Sequence, residues 1–423
     1  MSSDPTATGR VRAYRFHVAL LIGCGIVAAA QVGKAIITIP LIRSELAIGL
    51  DVAGLIVATF AALGAFLGLG AGVVVRRLGV RRTLVGGMAT IALGNLIGAG
   101  ATEEWLLLAA RIVEGVGFFG AVLAIPSALA QVVTRGERDF VMAVWSAYMP
   151  AGIMLMLFLG PALPIIGWRG LWIANAVAAA ACAIVSARHA PVIAETASES
   201  AGRFFGEVTN VVRRPACLVL AFAFFAYSCQ IFSLAFALPL LFTSAYGASL
   251  AFAGLLSALV LAVSTAGHVS SGFSLRAGFP IWANIAVAFA FFALSSFAIY
   301  AGTLPPQIAA LAAALALGVG GLAPGAIYAA APQAAPTPQA VPPTIGLVQQ
   351  ASNLGQFAGP LVLGTWVEHF GWSAAPAVVA PAALLGLGAA FVLRRITGAR
   401  EPAPVSAPDG AVRIAATNRT RGR

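Results

Sequence analysis

The chain has 423 residues, 60% of them hydrophobic and only 9% charged. A water-soluble domain carries about 25% charged residues, so lipid is the solvent here, and the length suffices for many spans of about 20 residues each. The formal net charge of +11 suggests a nucleic-acid partner, but the charge is split into short clusters between apolar runs, which excludes one.

Arg10, Arg12 and Arg15 precede a first apolar run, 17–42, that is too long for the core of a signal peptide and is read as the first span. Polar breaks then delimit runs at 51–75, 83–101, 105–133, 139–163 and 170–188, and after a longer polar segment at 215–242, 249–274, 279–301, 306–331, 343–367 and 373–393. Continuous runs of this length cross a bilayer as helices, because every backbone polar group must be satisfied within the segment. The expected fold class is therefore an all-α membrane protein with twelve transmembrane helices. Of the 24 arginines, 21 fall in the breaks or tails on one side; only Arg43 and Arg169 lie on the other, and Arg111 lies within a span. This bias puts both termini in the cytoplasm. Residues 1–16 form a cytoplasmic tail. Residues 189–214, with Glu195, Glu199, Arg203, Glu207, Arg213 and Arg214 around Phe204, Phe205 and Val208, read as an amphipathic linker on the cytoplasmic surface. Residues 396–423, rich in Pro, Ala and Arg, read as a disordered tail. Cys24, Cys182, Cys217 and Cys229 have no metal-ligand spacing and read as small buried hydrophobes.

The segments on either side of the linker echo each other. Gly72-Val-Val-Val-Arg76 before Leu78-Gly79 matches Gly272-Phe-Ser-Leu-Arg276 before Ala277-Gly278. Gly115-Val-Gly117 in the fourth span matches Gly318-Val-Gly320 in the tenth. Gly160-Pro161 and Gly167-Trp168 match Gly359-Pro360 and Gly371-Trp372. Three matches in the same order imply two pseudo-symmetric six-helix bundles, 17–188 and 215–395.

Lys34 is the chain's only lysine, and it lies inside the first span. A charge at bilayer depth costs about 2.5–3.5 kcal/mol on insertion scales and usually faces a bundle interior or a watery cavity, so Lys34 is read as a site for something negative. The alternative is snorkelling toward the interface near Arg43. Gln31 and Thr38 share its helix face at i−3 and i+4. Arg111 and Glu114, at i and i+3, carry two open readings: a structural ion pair, or a pair opened when Glu114 takes a proton. Arg111 is also a candidate second anion contact. His268 lies among Ser264, Thr265, Ser270 and Ser271 and is either hydrogen-bonded to them or a proton relay. Gln349, Gln350, Asn353 and Gln356 form a stripe that contacts substrate or joins helices. Gly160-Pro161 and Gly359-Pro360 are read as paired helix bends.

The segment Gly72-Val-Val-Val-Arg76-Arg77-Leu78-Gly79-Val80-Arg81-Arg82 resembles the loop signature between the second and third spans of the major facilitator superfamily. It departs from that signature where Arg76 replaces an aspartate. Arg111-Ile-Val-Glu114-Gly115-Val-Gly117 resembles the same family's fourth-span signature. Gln31-Val-Gly-Lys34 followed by Pro40 is similar to the cyanate permease branch, where the basic residue is usually arginine. The resemblance implies a central cavity lined by the first, fourth, seventh and tenth spans, hence Gln31, Lys34, Thr38, Arg111, Tyr227, Gln230 and Tyr328 as substrate-binding candidates. Glu114 and His268 are then proton-coupling candidates, and Gly72, Arg76, Arg77, Gly79, Arg81 and Arg82 gating residues. No P-loop, His-Glu-x-x-His motif or extramembrane domain is present in the sequence, so neither an enzyme nor an ATP-driven pump is expected, and no cofactor or metal. The expected function is alternating-access movement of a small organic or inorganic anion across a bacterial inner membrane, with proton coupling open and a monomer as the working unit. Efflux of a drug-like compound or a secreted metabolite such as a siderophore is the alternative, to which the rings of Phe222, Phe224, Phe225, Tyr227, Phe232 and Phe236 would be suited.

Overall fold

The computed structural model describes residues 5–68, 78–133, 141, 145, 148–190, 201–300, 302, 304–337 and 340–398. Gly72, Arg76 and Arg77 of the loop signature, Arg135 and Arg138, most of the linker before Ala201, and the tail beyond Gly398 lie outside the described residues.

All regular structure among the described residues is helical. The first half contains α1 (Pro5–Leu46), α2 (Leu50–Thr59), α3 (Ala62–Leu67), α4 (Val80–Ala99), α5 (Glu104–Val132), α6 (Tyr148–Leu157) and α7 (Leu163–His189). The connecting helix is α8 (Ala201–Val212), and the second half contains α9 (Pro215–Ser244), α10 (Leu250–Arg276), α11 (Ile281–Tyr300), α12 (Pro306–Gly320), α13 (Leu322–Ala334), α14 (Val341–Phe370) and α15 (Pro376–Gly398). Eight helical stretches among the described residues are long and apolar enough to cross a membrane; one of them, Tyr148–His189, runs through both α6 and α7.

Several boundaries differ from the sequence reading. The second run breaks at Phe60–Ala61, where Ala61 N–H turns back to the Ala58 carbonyl at 2.9 Å; no Gly or Pro marks the break. The tenth run breaks at Gly321 into α12 and α13. Gly160-Pro161 forms a short 3₁₀ turn ending α6, whereas Pro360 stays inside the continuous α14. The expected pair of matching bends is therefore a turn in one half and an unbroken helix in the other. Gly359 instead provides close contact, since a Cβ there would meet the Cys229 carbonyl at 2.7 Å.

The echoed glycines do share backbone geometry. Gly79 (φ 79°) and Gly278 (φ 86°) are both left-handed, as are Gly167 (φ 67°) and Gly371 (φ 78°). Only glycine enters that region without a Cβ penalty: Gly79 and Gly278 lie between helices, Gly167 kinks α7 and Gly371 ends α14.

In the first half α4 packs on α5 and α7, and α1 on α5, α6 and α7; in the second α9 packs on α14 and α15, and α11 on α12, α13 and α15. The halves meet where α2 and α3 run along α14 and where α6 meets α10. Small residues allow the close approach: a Cβ on Gly54 would meet the Pro360 carbonyl at 2.5 Å, and one on Gly364 the Leu50 carbonyl at 2.5 Å.

Candidate functional site: a buried charge cluster beside a small central cavity

Four helices of the first half bring charge together in a place sealed from solvent. Lys34 on α1 donates to Glu114 Oε1 on α5 at 2.6 Å and to Asn95 Oδ1 on α4 at 2.6 Å. Its ammonium also sits 3.5 Å from the ring centroid of Trp172 on α7, a cation–π contact. Arg111 donates to the other carboxylate oxygen of Glu114, to the Ile56 carbonyl at 3.1 Å and to the Gln31 carbonyl at 3.1 Å. Gln31 joins the network by accepting from Asn95 Nδ2 at 2.9 Å and donating to Asn175 Oδ1 at 3.2 Å. Lys34, Arg111 and Glu114 are all 0% exposed. Gly94 makes room for the carboxylate, since a Cβ there would meet Glu114 Cγ at 2.6 Å.

Two cations thus share one carboxylate. A buried ion pair is tolerated when its remaining donors and acceptors are satisfied, and here one is not: Arg111 Nη2 is buried without a hydrogen-bond partner. Lys34 does not line an aqueous vestibule as expected. It has a carboxylate partner that sequence spacing did not reveal, and it does not snorkel. Thr38 shares its face, but its hydroxyl donates to the Lys34 carbonyl at 2.7 Å and accepts from Trp172 Nε1 at 3.4 Å. Asn95, Trp172 and Asn175 belong to the cluster and were missed; a lone amide in an apolar run carries the same signal that singled out Lys34.

Between the halves lies a cavity of about 30 Å³ bordered by Phe60, Phe118, Tyr148 and Gly115 from the first half and Gln349 and Asn353 from the second. That is room for about two waters. Phe60 connects cavity and cluster: it lines the former, and its ring lies 4.6 Å from the Arg111 guanidinium carbon. Gly115 lets the Phe60 backbone in, since a Cβ would meet the Phe60 carbonyl at 2.6 Å. No charged side chain borders the cavity among the described residues.

In the second half Tyr227 and His268 form a pair, hydroxyl to Nε2, at 3.2 Å. His268 Nδ1 lies 2.8 Å from the Ser264 carbonyl, so Nδ1 carries the hydrogen and Tyr227 donates to Nε2. Tyr328 donates to Gln349 Oε1 and its ring meets Phe224 edge-on at 5.2 Å, which sets it beside the cavity. Gln230 does not join them: its amide donates to the Val379 carbonyl at 2.8 Å, tying α9 to α15. The amide stripe of α14 divides in the same way. Gln349 and Asn353 border the cavity, Gln350 donates across the seam to the Ala65 carbonyl at 3.0 Å, and Gln356 bonds within its own helix. Of the loop signature, Gly79 precedes α4 and Arg81 donates to the Ala187 carbonyl of α7. Arg82 makes no ion pair among the described residues.

The sequence profile of the Major Facilitator Superfamily matches residues 21–303. The chain belongs to that superfamily. It is a multi-pass membrane protein. Its fold is similar to that of a bacterial homolog to the human lysosomal transporter Spinster. The inward-facing, unoccupied form gives a TM-score of 0.68 at 16% identity, covering 94% of this chain and 96% of that one. The inward-facing, occupied form gives 0.66 at 15% identity, covering 94% and 96%. In sequence, a 190-residue stretch is 30% identical to the uncharacterized MFS-type transporter EfpA from two strains of Mycobacterium tuberculosis. The match takes in 41% of this chain, and the chain spans 35% of the length of those relatives.

Proposed function

We propose that the transporter moves a small anion by alternating access. In this reading twelve spans form two six-helix bundles, 17–188 and 215–395, in a bacterial inner membrane, with both termini cytoplasmic and a single chain as the working unit. The similarity of Gln31-Val-Gly-Lys34 to the cyanate permease branch supports an anion independently of the geometry. The observation that carries the reading is the cluster's stoichiometry: two cations share one buried carboxylate, and Arg111 Nη2 has no partner. An anion entering the cavity would supply the missing countercharge once Phe60 swings aside. Guanidinium geometry suits a carboxylate, and the ring-lined cavity suits a flat organic body. A cavity of about 30 Å³ is far below the 300–1,000 Å³ of small-molecule sites, so in this reading it expands to load.

For proton coupling the geometry favours His268 over Glu114. Protonating Glu114 would leave Lys34 and Arg111 without a counter-ion, whereas His268 can accept a proton at Nε2 if only the Tyr227 hydroxyl rotates.

The uncharged lining favours a second reading, efflux of a neutral drug-like compound. Proteoliposome counterflow with benzoate, benzamide and benzylammonium separates the two, because the three share a ring and differ in charge. Exchange of benzoate alone supports the anion reading; exchange of benzamide at an equal rate supports the second.

A further inference from the structure

At the end of the molecule away from the chain's N-terminus, two ion pairs do different jobs. Glu45 on α1 accepts from Trp168 Nε1 at 2.6 Å and pairs with Arg169, which also donates to the Ala101 carbonyl at 2.8 Å. All of these partners lie in the first half, so this set braces one bundle internally. Arg43 and Glu368 instead join α1 to the end of α14, across the seam, at 3.9 Å. Glu368 makes a second and shorter contact across the seam: its Oε2 accepts the Leu50 N–H at 2.6 Å.

Leu50 is the first residue of α2, one of the positions whose N–H has no partner within the helix. Its N-cap residue is Gly49, which has no side chain to supply one. The helix start is thus capped by a carboxylate from the other half, which also lies favourably at the positive end of the helix dipole. A Cβ at Gly49 would meet Asp51 Oδ1 at 2.4 Å and only touch Glu368 Cδ, at 3.4 Å. Below this contact the backbones of α2 and α14 touch at Gly54–Pro360 and Leu50–Gly364. Separating the halves at this end therefore uncaps α2 and unpairs Arg43 in one movement.

We infer that Glu368 is the latch of the seam on this side, a positioning residue that sets how often the transporter opens there. The inference rests on the alternating-access reading and assigns its gating residue. Arg43 is the minor partner, being a long and partly exposed contact, and the Leu50 N–H bond is the major one.

The test is a distance measurement on the full chain in lipid nanodiscs, with the four native cysteines replaced by serine and spin labels attached through Ser44→Cys and Ser373→Cys, both exposed positions at this end. Double electron–electron resonance then reads the ratio of separated to closed populations. A charge-assisted hydrogen bond contributes enough to change such a ratio about tenfold. Glu368→Ala should raise it about tenfold, Glu368→Gln less, since an amide oxygen still accepts the N–H, and Arg43→Gln least. A separated population that appears or grows in that order supports the latch. Two populations whose ratio is the same in all variants would overturn the latch and leave alternating access standing. A single unchanged distance in parent and variants would overturn alternating access at this seam and the latch with it. Glu368→Gln, which preserves shape, stands in should Glu368→Ala fail to elute as a single species.

Discussion

Replacing Glu114 by glutamine keeps the side chain's shape and removes the only carboxylate that pairs with two buried cations among the described residues. Lys34 Nζ lies 2.6 Å from it and Arg111 binds its other oxygen, all three side chains being 0% exposed. Breaking a buried pair by removing one partner costs about 3–5 kcal/mol, because the remaining charge is stranded, and here two charges are stranded together. Replacing Lys34 by methionine has a different result. Arg111 and Glu114 remain as a balanced one-to-one pair, and the losses are the bonds to Asn95 and Glu114 and the contact with Trp172, about 1.5–3 kcal/mol for each hydrogen bond to a charged group, with no charge left stranded. The expected order is therefore Glu114→Gln more destabilising than Lys34→Met. The double variant should be less destabilised than the sum of the singles by about 0.5–3 kcal/mol, the range of coupling between residues in one network. Thermal unfolding of detergent-purified protein, followed by intrinsic tryptophan fluorescence, checks both. Unfolding of Glu114→Gln at the parent temperature, or a larger cost for Lys34→Met than for Glu114→Gln, would rule out a shared carboxylate as the cluster's support.

Ala47 has a φ of 54° after α1, where the second half has Gly247 at 63° after α9; Ala47→Gly should stabilise by about 0.5–1 kcal/mol through relief of left-handed strain, read as a raised unfolding temperature. Gly115→Ala would push a methyl to within 2.6 Å of the Phe60 carbonyl and should cost about 1–3 kcal/mol as overpacking, while Gly86→Ala, with open space around it, should be neutral or better in the same assay. His268→Gln should flatten the pH dependence of benzoate counterflow while leaving the unfolding temperature within about 1 kcal/mol equivalent of the parent.

The helical elements were legible because apolar runs and polar breaks directly report what lipid demands of a backbone. The break at Phe60–Ala61 was not, since neither residue is a breaker and the turn serves packing against α5 and α14. Lys34, Arg111 and Glu114 stood out individually because a charge in an apolar run is costly wherever it points. Their union was only half visible. Helical periodicity finds Arg111 with Glu114, three residues apart, but Lys34 and Glu114 are separated by 80 positions and meet only through the packing of α1 on α5. The same limit hid Asn95 and Trp172. Gln230 fails for a different reason: the resemblance implies that its helix lines the cavity, but the cavity found is bordered by the α2–α3 turn, α5, α6 and α14, and its amide is on the side that meets α15. The cavity residues Phe60, Tyr148 and Phe118 look like ordinary core and gain meaning only where the halves meet.

The most direct measurement is benzoate counterflow by Arg111→Gln in proteoliposomes, beside the unfolding temperature of the same preparation. This variant leaves Lys34 and Glu114 as a neutral pair, so it should fold, yet it lacks the unpaired guanidinium nitrogen to which the anion is assigned. Benzoate exchange should fall by at least about tenfold, the equivalent of one charged hydrogen bond, while the protein still folds, with a loss of stability no greater than that of Glu114→Gln. Parent-level benzoate exchange by a folded Arg111→Gln protein would contradict that assignment.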